Sequence, residues 1–328
     1  MFAVLTALPF GVSAPWVLNL FIFTVMYAAL ASAWNLVGGY SGYISLGHAA
    51  FFGVGAYAVG ILFTHISIGD GYRPFYVLPV VGLGVAVCSV PIAWVAFRTR
   101  AATFAIVTVT LLFAFQQLAF NLRSLTGGSQ GVAMPPPPFA VSTFERPFYW
   151  AILGVLACAM LVSWWIRGSK LGLALFAIRD DEDRARGLGV QTTFAKLVAF
   201  GASAGLVAMA GGVWAYYIGF IYPQFAVDPL VTIGMVLMVY LGGRGTLWGP
   251  VLGAFILVPA QQYLAYDLGA SQLYLVAYSA VFLVVMLLMP RGILPSLGDQ
   301  VRRVRARGLP PAAPGSERDP TPAKVALP

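Results

Sequence analysis

The feature that most limits how this chain can fold is a succession of apolar stretches, each close to twenty residues long. A bilayer core about 30 Å thick needs about 20 helical residues to cross it. Nine stretches qualify as candidate spans, at about 16–37, 40–63, 75–97, 101–120, 148–166, 197–218, 228–243, 246–265 and 272–290. The expected fold is an all-α, polytopic membrane helix bundle of about nine spans, the second broken by glycines. Composition points the same way. Of 328 residues only 9% are charged and 60% are hydrophobic, and the second figure leaves out 36 glycines. With 19 basic and 11 acidic side chains the protein cannot clothe a soluble globule of this size, which excludes a soluble enzyme.

The placement of charge gives a topology. When sides alternate after each span, all but three of the 19 Lys and Arg residues fall on one side. The exceptions are Arg73, Arg123 and Arg146. The positive-inside rule then predicts an N-terminus outside and an Arg-rich C-terminus in the cytoplasm, which needs an odd number of spans. The net charge of +8 is read as topology and not as nucleic-acid binding, because the basic residues sit in short tracts between apolar runs. Residues 1–15 carry no Lys or Arg, so no cleaved signal peptide is expected. The expected organisation is one transmembrane domain over 1–307, with a cytoplasmic loop at about 168–196, and a Pro-rich disordered tail over 308–328. The outer loop Asn121–Pro147 holds the run Pro135 to Pro138, a stiff extended element. Cys88 and Cys158 lie in apolar runs and read as small buried hydrophobes, with no disulfide framework or metal cluster implied.

The most charged segment is Arg179-Asp180-Asp181-Glu182-Asp183-Arg184-Ala185-Arg186, followed by Gly187-Leu188-Gly189. Asp180/Arg184 and Glu182/Arg186 are spaced i,i+4 with the acid first, the better orientation on a helix. Acids early, bases late and Gly189 as a left-handed stop predict a short exposed helix ending at about Leu188. Such a helix is either a solvated loop satisfied by its own ion pairs or a docking element for a cytoplasmic partner. Within the spans, Gly38/Gly42 and Gly245/Gly249/Gly253 have the small-xxx-small spacing that lets helices approach closely. With Gly47 and Gly53 they mark either tight packing or a broken helix lining a solute route. His48 is the one clearly ionisable side chain placed deep in a span, which makes it a functional candidate. A neutral histidine held by a backbone carbonyl is the reading preferred over a proton carrier. Ser45, Phe52, Gln116 and Gln117 are candidates for the same route. Asp228, beside Pro229 at a span edge, reads as a helix cap.

Several of these segments together resemble a known family. Glu182 with Ala185 and Gly189, flanked by Asp181 and Arg184, is similar to the degenerate coupling motif of ABC-importer permeases. Arg184 departs from it, standing where a small residue is more usual. The run Asn35-Leu36-Val37-Gly38-Gly39-Tyr40-Ser41-Gly42-Tyr43-Ile44-Ser45-Leu46-Gly47-His48 and onward to Tyr57 resembles the LivM family of branched-chain amino acid permeases. Thr126-Gly127-Gly128, the run Leu241 to Pro250 and Pro290-Arg291-Gly292 match in order; Gln130 stands where the family usually has Asp or Asn. The resemblance implies an inner-membrane permease subunit of an ABC importer. Its implied partners are a second related permease subunit, two cytoplasmic ATPase subunits and a periplasmic or extracellular binding protein. It implies no directly bound cofactor, with ATP hydrolysed by the partners.

The lysines agree: Lys170, Lys196 and Lys324 are followed by Leu, Leu and Val, and none lies in a phosphate-binding G-x-x-x-x-G-K-[ST] loop. The rival readings are a stand-alone secondary transporter or channel, and an ABC permease for amides or urea. A membrane enzyme ranks third, because no pair of catalytic carboxylates or metal-ligand cluster appears.

Overall fold

The computed structural model describes residues 14–66 and 71–268 continuously, with positions 5, 6, 8, 9, 276, 280, 283 and 292–296 outside those stretches. Among the described residues, ten α-helices of six residues or more organise the chain: α1 (Pro15–Gly38), α2 (His48–Ile61), α3 (Arg73–Ala96), α4 (Ala101–Asn121), α5 (Glu145–Gly168), α6 (Lys170–Asp180), α7 (Glu182–Gly187), α8 (Thr192–Ile218), α9 (Pro229–Gly242) and α10 (Gly249–Leu268). Helices α1, α3, α4, α5 and α8, and α9 with the turn before it, are the six long and apolar enough to cross a membrane. Sequence punctuation explains their limits. Pro opens α1, α3 and α9 within the first turn, where its missing N–H costs nothing, and Gly219 closes α8 in the left-handed region at φ 74°. Asp228 caps α9 as the sequence predicts, its carboxylate accepting from Leu230 N–H at 2.8 Å.

Helix α8 is the axis of the bundle, packed on α2, α3 and α1, while α1 also packs on α5 and α10. The α2–α8 contact is backbone to backbone. A Cβ on Gly55 would lie 2.0 Å from the Ala208 carbonyl oxygen, and one on Gly211 would lie 2.0 Å from that of Phe52. Any larger residue at either site would force the helices apart. The outer faces of α3 and α5 present Val80, Leu83, Val87, Leu161, Trp164 and Trp165, an apolar surface suited to lipid.

Contacts sort the loops into two ends. One end gathers 39–47, 97–104, 167–196 and 243–249 through Arg179–Gly39, Arg167–Gly245 and the stacked Phe97 and Phe104 rings. The other gathers 71–75, 131–148 and 216–222 through Tyr216–Gly71, Tyr72–Phe139 and a two-residue antiparallel pairing of β1 (Val132–Ala133) with β2 (Phe220–Ile221). The first end holds Arg98, Arg100, Arg167, Lys170, Arg179, Arg184, Arg186, Lys196 and Arg244, and the second holds Arg73, Arg123 and Arg146.

Several expectations change. Residues 39–47 are non-helical and mostly buried, so helix in the 40–63 stretch begins only at His48. Gly42 therefore lies off the helix, at φ +80° against Arg179, and Gly38/Gly42 is no helix-packing pair; Gly38 instead accommodates the indole of Trp34. Gly245 likewise sits in a loop at φ +77°. Gly249 opens α10, and Gly253 meets the Met238 carbonyl of α9. Cys88 is exposed on α3 and not buried, because the outward face of a membrane helix is itself apolar. The 272–290 candidate span and the 308–328 tail lie outside the continuously described residues.

Candidate functional site

The loop helix forms as its sequence predicts, and its facing comes from its neighbours. Asp181 is extended (φ −162°, ψ 108°) and caps α7 by accepting from Arg184 N–H at 3.0 Å. Because Asp181 breaks the helix between Asp180 and Glu182, Arg184 pairs with Asp181 at 2.9 Å and not with Asp180. Glu182 and Arg186 do meet, at 3.0 Å. The helix ends at Gly187, and Gly189 takes the left-handed conformation at φ +85°. Ala185 is buried, whereas Asp183, Arg184, Leu188 and Gly189 face outward.

Glu182 turns inward. One carboxylate oxygen accepts from Lys196 Nζ at 2.7 Å and from Arg186, and the other accepts a short hydrogen bond from the Tyr43 hydroxyl. Burial pushes this carboxyl up, but the bonds from Lys196 and Tyr43 and the charges of Lys196 and Arg186 outweigh it. The net effect holds Glu182 below the usual glutamate range. Lys196, in the first turns of α8, is 2% exposed and lies over the rings of Tyr43 and Phe97 at 4.5 and 5.1 Å. The start of α8 and the distant 39–47 segment thus meet α7 at one carboxylate.

Two residues beyond Tyr43 a second cluster begins. His48 opens α2 fully buried, with Ser45 Oγ 2.8 Å from Nδ1 and Ser203 Oγ 2.8 Å from Nε2. Ser203 already donates its hydroxyl proton to the Ala33 carbonyl at 2.7 Å, so it accepts from Nε2–H. The partners of the ring are hydroxyls and not the backbone carbonyl expected. The 39–47 chain is secured by other elements: Trp34 Nε1 donates to Ser45 O at 2.8 Å, and Leu46 N–H donates to Thr108 Oγ1 at 3.0 Å. Ala49 N–H, one of the free amides at the start of α2, donates to Thr232 Oγ1 at 2.8 Å. A Cβ on Gly47 would lie 2.4 Å from the Thr108 carbonyl, so α2 and α4 meet there only because the residue is glycine.

A third group ties this segment to the 243–249 loop. Asn35 donates to Thr246 O at 2.9 Å and accepts from Gly245 N–H at 3.0 Å, while Arg179 donates to Gly39 O at 3.0 Å.

The candidates for a solute route separate. Ser45 and His48 sit together in the core. Phe52 lines a cavity of about 270 Å³ with Phe23, Tyr27, Trp214, Gln261 and Gln262. Gly53 is spent on packing, its Cβ position 2.5 Å from Val227. Gln116 donates to Val227 O at 3.2 Å on the α4 side, and Gln117 is exposed on the outer face of α4. The sequence does not single out Tyr43, Lys196, Asn35 or Ser203 for a role. The available signal was a polar residue in each otherwise apolar run, and for Ser203 its place among small residues in the core helix.

The fold and this site define a polytopic helical membrane protein whose most charged helix is presented outward and locked to a buried, non-helical segment. The chain belongs to the family described as branched-chain amino acid transport system / permease component, whose model matches residues 16–290. It is 28% identical to the high-affinity branched-chain amino acid transport system permease protein LivM of Salmonella typhimurium, over 92% of this chain and 75% of the relative. Similarity to LivH of the same organism is 25% over 82% of this chain and 91% of the relative. The autoinducer 2 import system permease protein LsrC of Salmonella typhi is 33% identical over 37% of each chain. No solved structure matches.

Proposed function

We propose that this chain is the transmembrane permease subunit of an ATP-driven importer for branched-chain amino acids, working by alternating access while separate subunits hydrolyse ATP. It spans the inner membrane nine times, with the N-terminus outside and the Glu182 end in the cytoplasm; the bias of basic residues toward that end supports this orientation. A second, related permease subunit completes the path, two ATPase subunits dock beneath it, and a binding protein delivers solute from the other side. Similarity to both LivM and LivH over more than four-fifths of this chain supports pairing of two such subunits and a leucine-type solute. The match to an autoinducer 2 permease covers barely a third of the chain and carries less weight.

The observation that carries the reading is the construction of α7. Its outer face, Arg184 and Leu188, is free to dock, while Glu182 on the opposite face is held by the buried Lys196. A helix satisfied only by its own ion pairs would need no such anchor. Closure of an ATPase dimer would displace α7, and the buried contacts would carry that displacement into the spans. Co-purification with cytoplasmic ATPase subunits, followed by ATP-dependent uptake of labelled leucine in vesicles, tests the reading. Uptake that persists without any ATPase partner would establish a stand-alone transporter instead.

A further inference from the structure

A lysine at 2% exposure is unusual, since an ammonium withdrawn from water needs full compensation. Lys196 obtains it from three separate pieces of chain. Its Nζ is 2.7 Å from Glu182 Oε1 on α7 and 3.4 Å from the Tyr43 hydroxyl in the 39–47 segment, and it lies 5.1 Å from the centre of Phe97 at the end of α3. We propose that Lys196 is a positioning residue for transport, coupling displacement of α7 to displacement of the 39–47 segment and so to the start of α2. The proposal rests on the importer reading above.

Glu182 accepts from both Lys196 and Tyr43, so α7 cannot move away alone without stranding the buried ammonium. The low-energy displacement takes Tyr43 along. Two routes then lead inward. One is the chain itself, because Ser45, two residues on, bonds His48. The other is ring packing: Tyr43 contacts Phe97 and Phe104 at 5.4 and 5.3 Å, Phe97 contacts Phe200 at 5.7 Å, and Phe200 contacts the His48 ring at 5.4 Å. Both end on the residue that opens α2 and that is bonded, through Ser203, to the α1 carbonyl of Ala33. Close packing along this line transmits a shift instead of absorbing it. A lysine that merely holds the loop in place would affect assembly; one that positions the segment sets how much solute moves per ATP.

The test uses the full complex of permeases, ATPases and binding protein in vesicles, with K196M, K196R and the uncharged pair E182M/K196M. That pair leaves no buried charge uncompensated and so separates coupling from loss of stability. The expected result is normal assembly and ATP hydrolysis for all three. Uptake per ATP should fall roughly tenfold or more in K196M and in the pair, and should be largely kept in K196R, whose cation retains the attraction to Glu182. Unchanged uptake per ATP in K196M or in the pair overturns the proposal, and so does failure of both to assemble, which would make the contact a folding element. If the unsubstituted complex shows no ATP-driven uptake, the importer reading falls and this inference with it; normal uptake there with normal uptake in the pair removes this inference alone.

Discussion

The polar clusters around His48 and around Glu182 are separated by only a few residues of the 39–47 segment, yet they are built on opposite terms. The His48 cluster contains no carboxylate, ammonium or guanidinium: an imidazole, two hydroxyls and a backbone carbonyl satisfy one another with no exposure to solvent. The Glu182 cluster is ionic, with a carboxylate side chain 18% exposed on one side and a nearly buried ammonium on the other. A cluster satisfied from within holds its three segments together, because every group loses its partner if one moves alone. An ionic cluster at an edge has an outside face on which a partner can act. On the importer reading, the second would be the place where force enters and the first would carry the shift to α2 as a unit.

Substitutions at the two clusters should separate these roles. Glu182→Lys sets a second ammonium beside Lys196 and removes the carboxylate that compensates it. The protein should remain in the membrane, with ATP-dependent uptake reduced by roughly a hundredfold; uptake close to normal in vesicles would remove Glu182 from coupling. His48→Leu strands the Ser45 hydroxyl, about 1–3 kcal/mol for a group left unsatisfied, and leaves Ser203 only its bond to the Ala33 carbonyl. Thermal unfolding in detergent should show a marked drop for this variant and a smaller one for His48→Asn, which retains an amide able to bond. Transport retained in His48→Asn marks the ring as a structural bond, whereas transport lost in an intact, stable protein would give it a role in the path.

Acidification should divide the clusters more gently. The Glu182 carboxyl is depressed in the folded protein, so its stabilising contribution is present at neutral pH and lost as pH falls through the folded value. The melting advantage of the native chain over Glu182→Gln should hold from neutral pH down to about 4.3, the ordinary glutamate value, and shrink only below it. An advantage already gone near neutrality would contradict the ion pair. Asp181→Ala should have the smallest effect. It removes a helix cap worth about 1 kcal/mol and an exposed pair with Arg184 that adds little. Hydrogen exchange in α7 should quicken while uptake stays close to normal.

Local chemistry was legible in the sequence, and facing was not. The end of α7 and its Glu182/Arg186 pair follow from the i,i+4 spacing and Gly189, whereas its start does not: the expected Asp180/Arg184 pair fails because Asp181 caps the helix between them. That Glu182 points inward depends on Lys196 and Tyr43, and nothing in a six-residue helix announces either. The deep placement of His48 could be read from its apolar surroundings, but Ser203 lies 155 residues away. Gln117 and Cys88 illustrate a general obstacle. In a soluble helix polar residues mark the outside, whereas in this bundle lipid-facing and core-facing sides are both apolar, so periodicity loses its meaning. The glycines led to the expectation of a broken second span, whereas helix runs unbroken over His48–Ile61 and the non-helical residues 39–47 precede it; that Trp34, Thr108 and Thr232 bond the backbone there could not be read from the sequence.

The central claim is that α7 meets an ATPase with its outer face while its inner face is anchored. A photo-crosslinking residue at Leu188, which is 86% exposed, and another at Ala185, which is 3% exposed, test this directly in an actively transporting complex. The account predicts capture of an ATPase subunit from position 188 and none from position 185. Active transport with no ATPase captured from position 188, or capture from 185 alone, would contradict it.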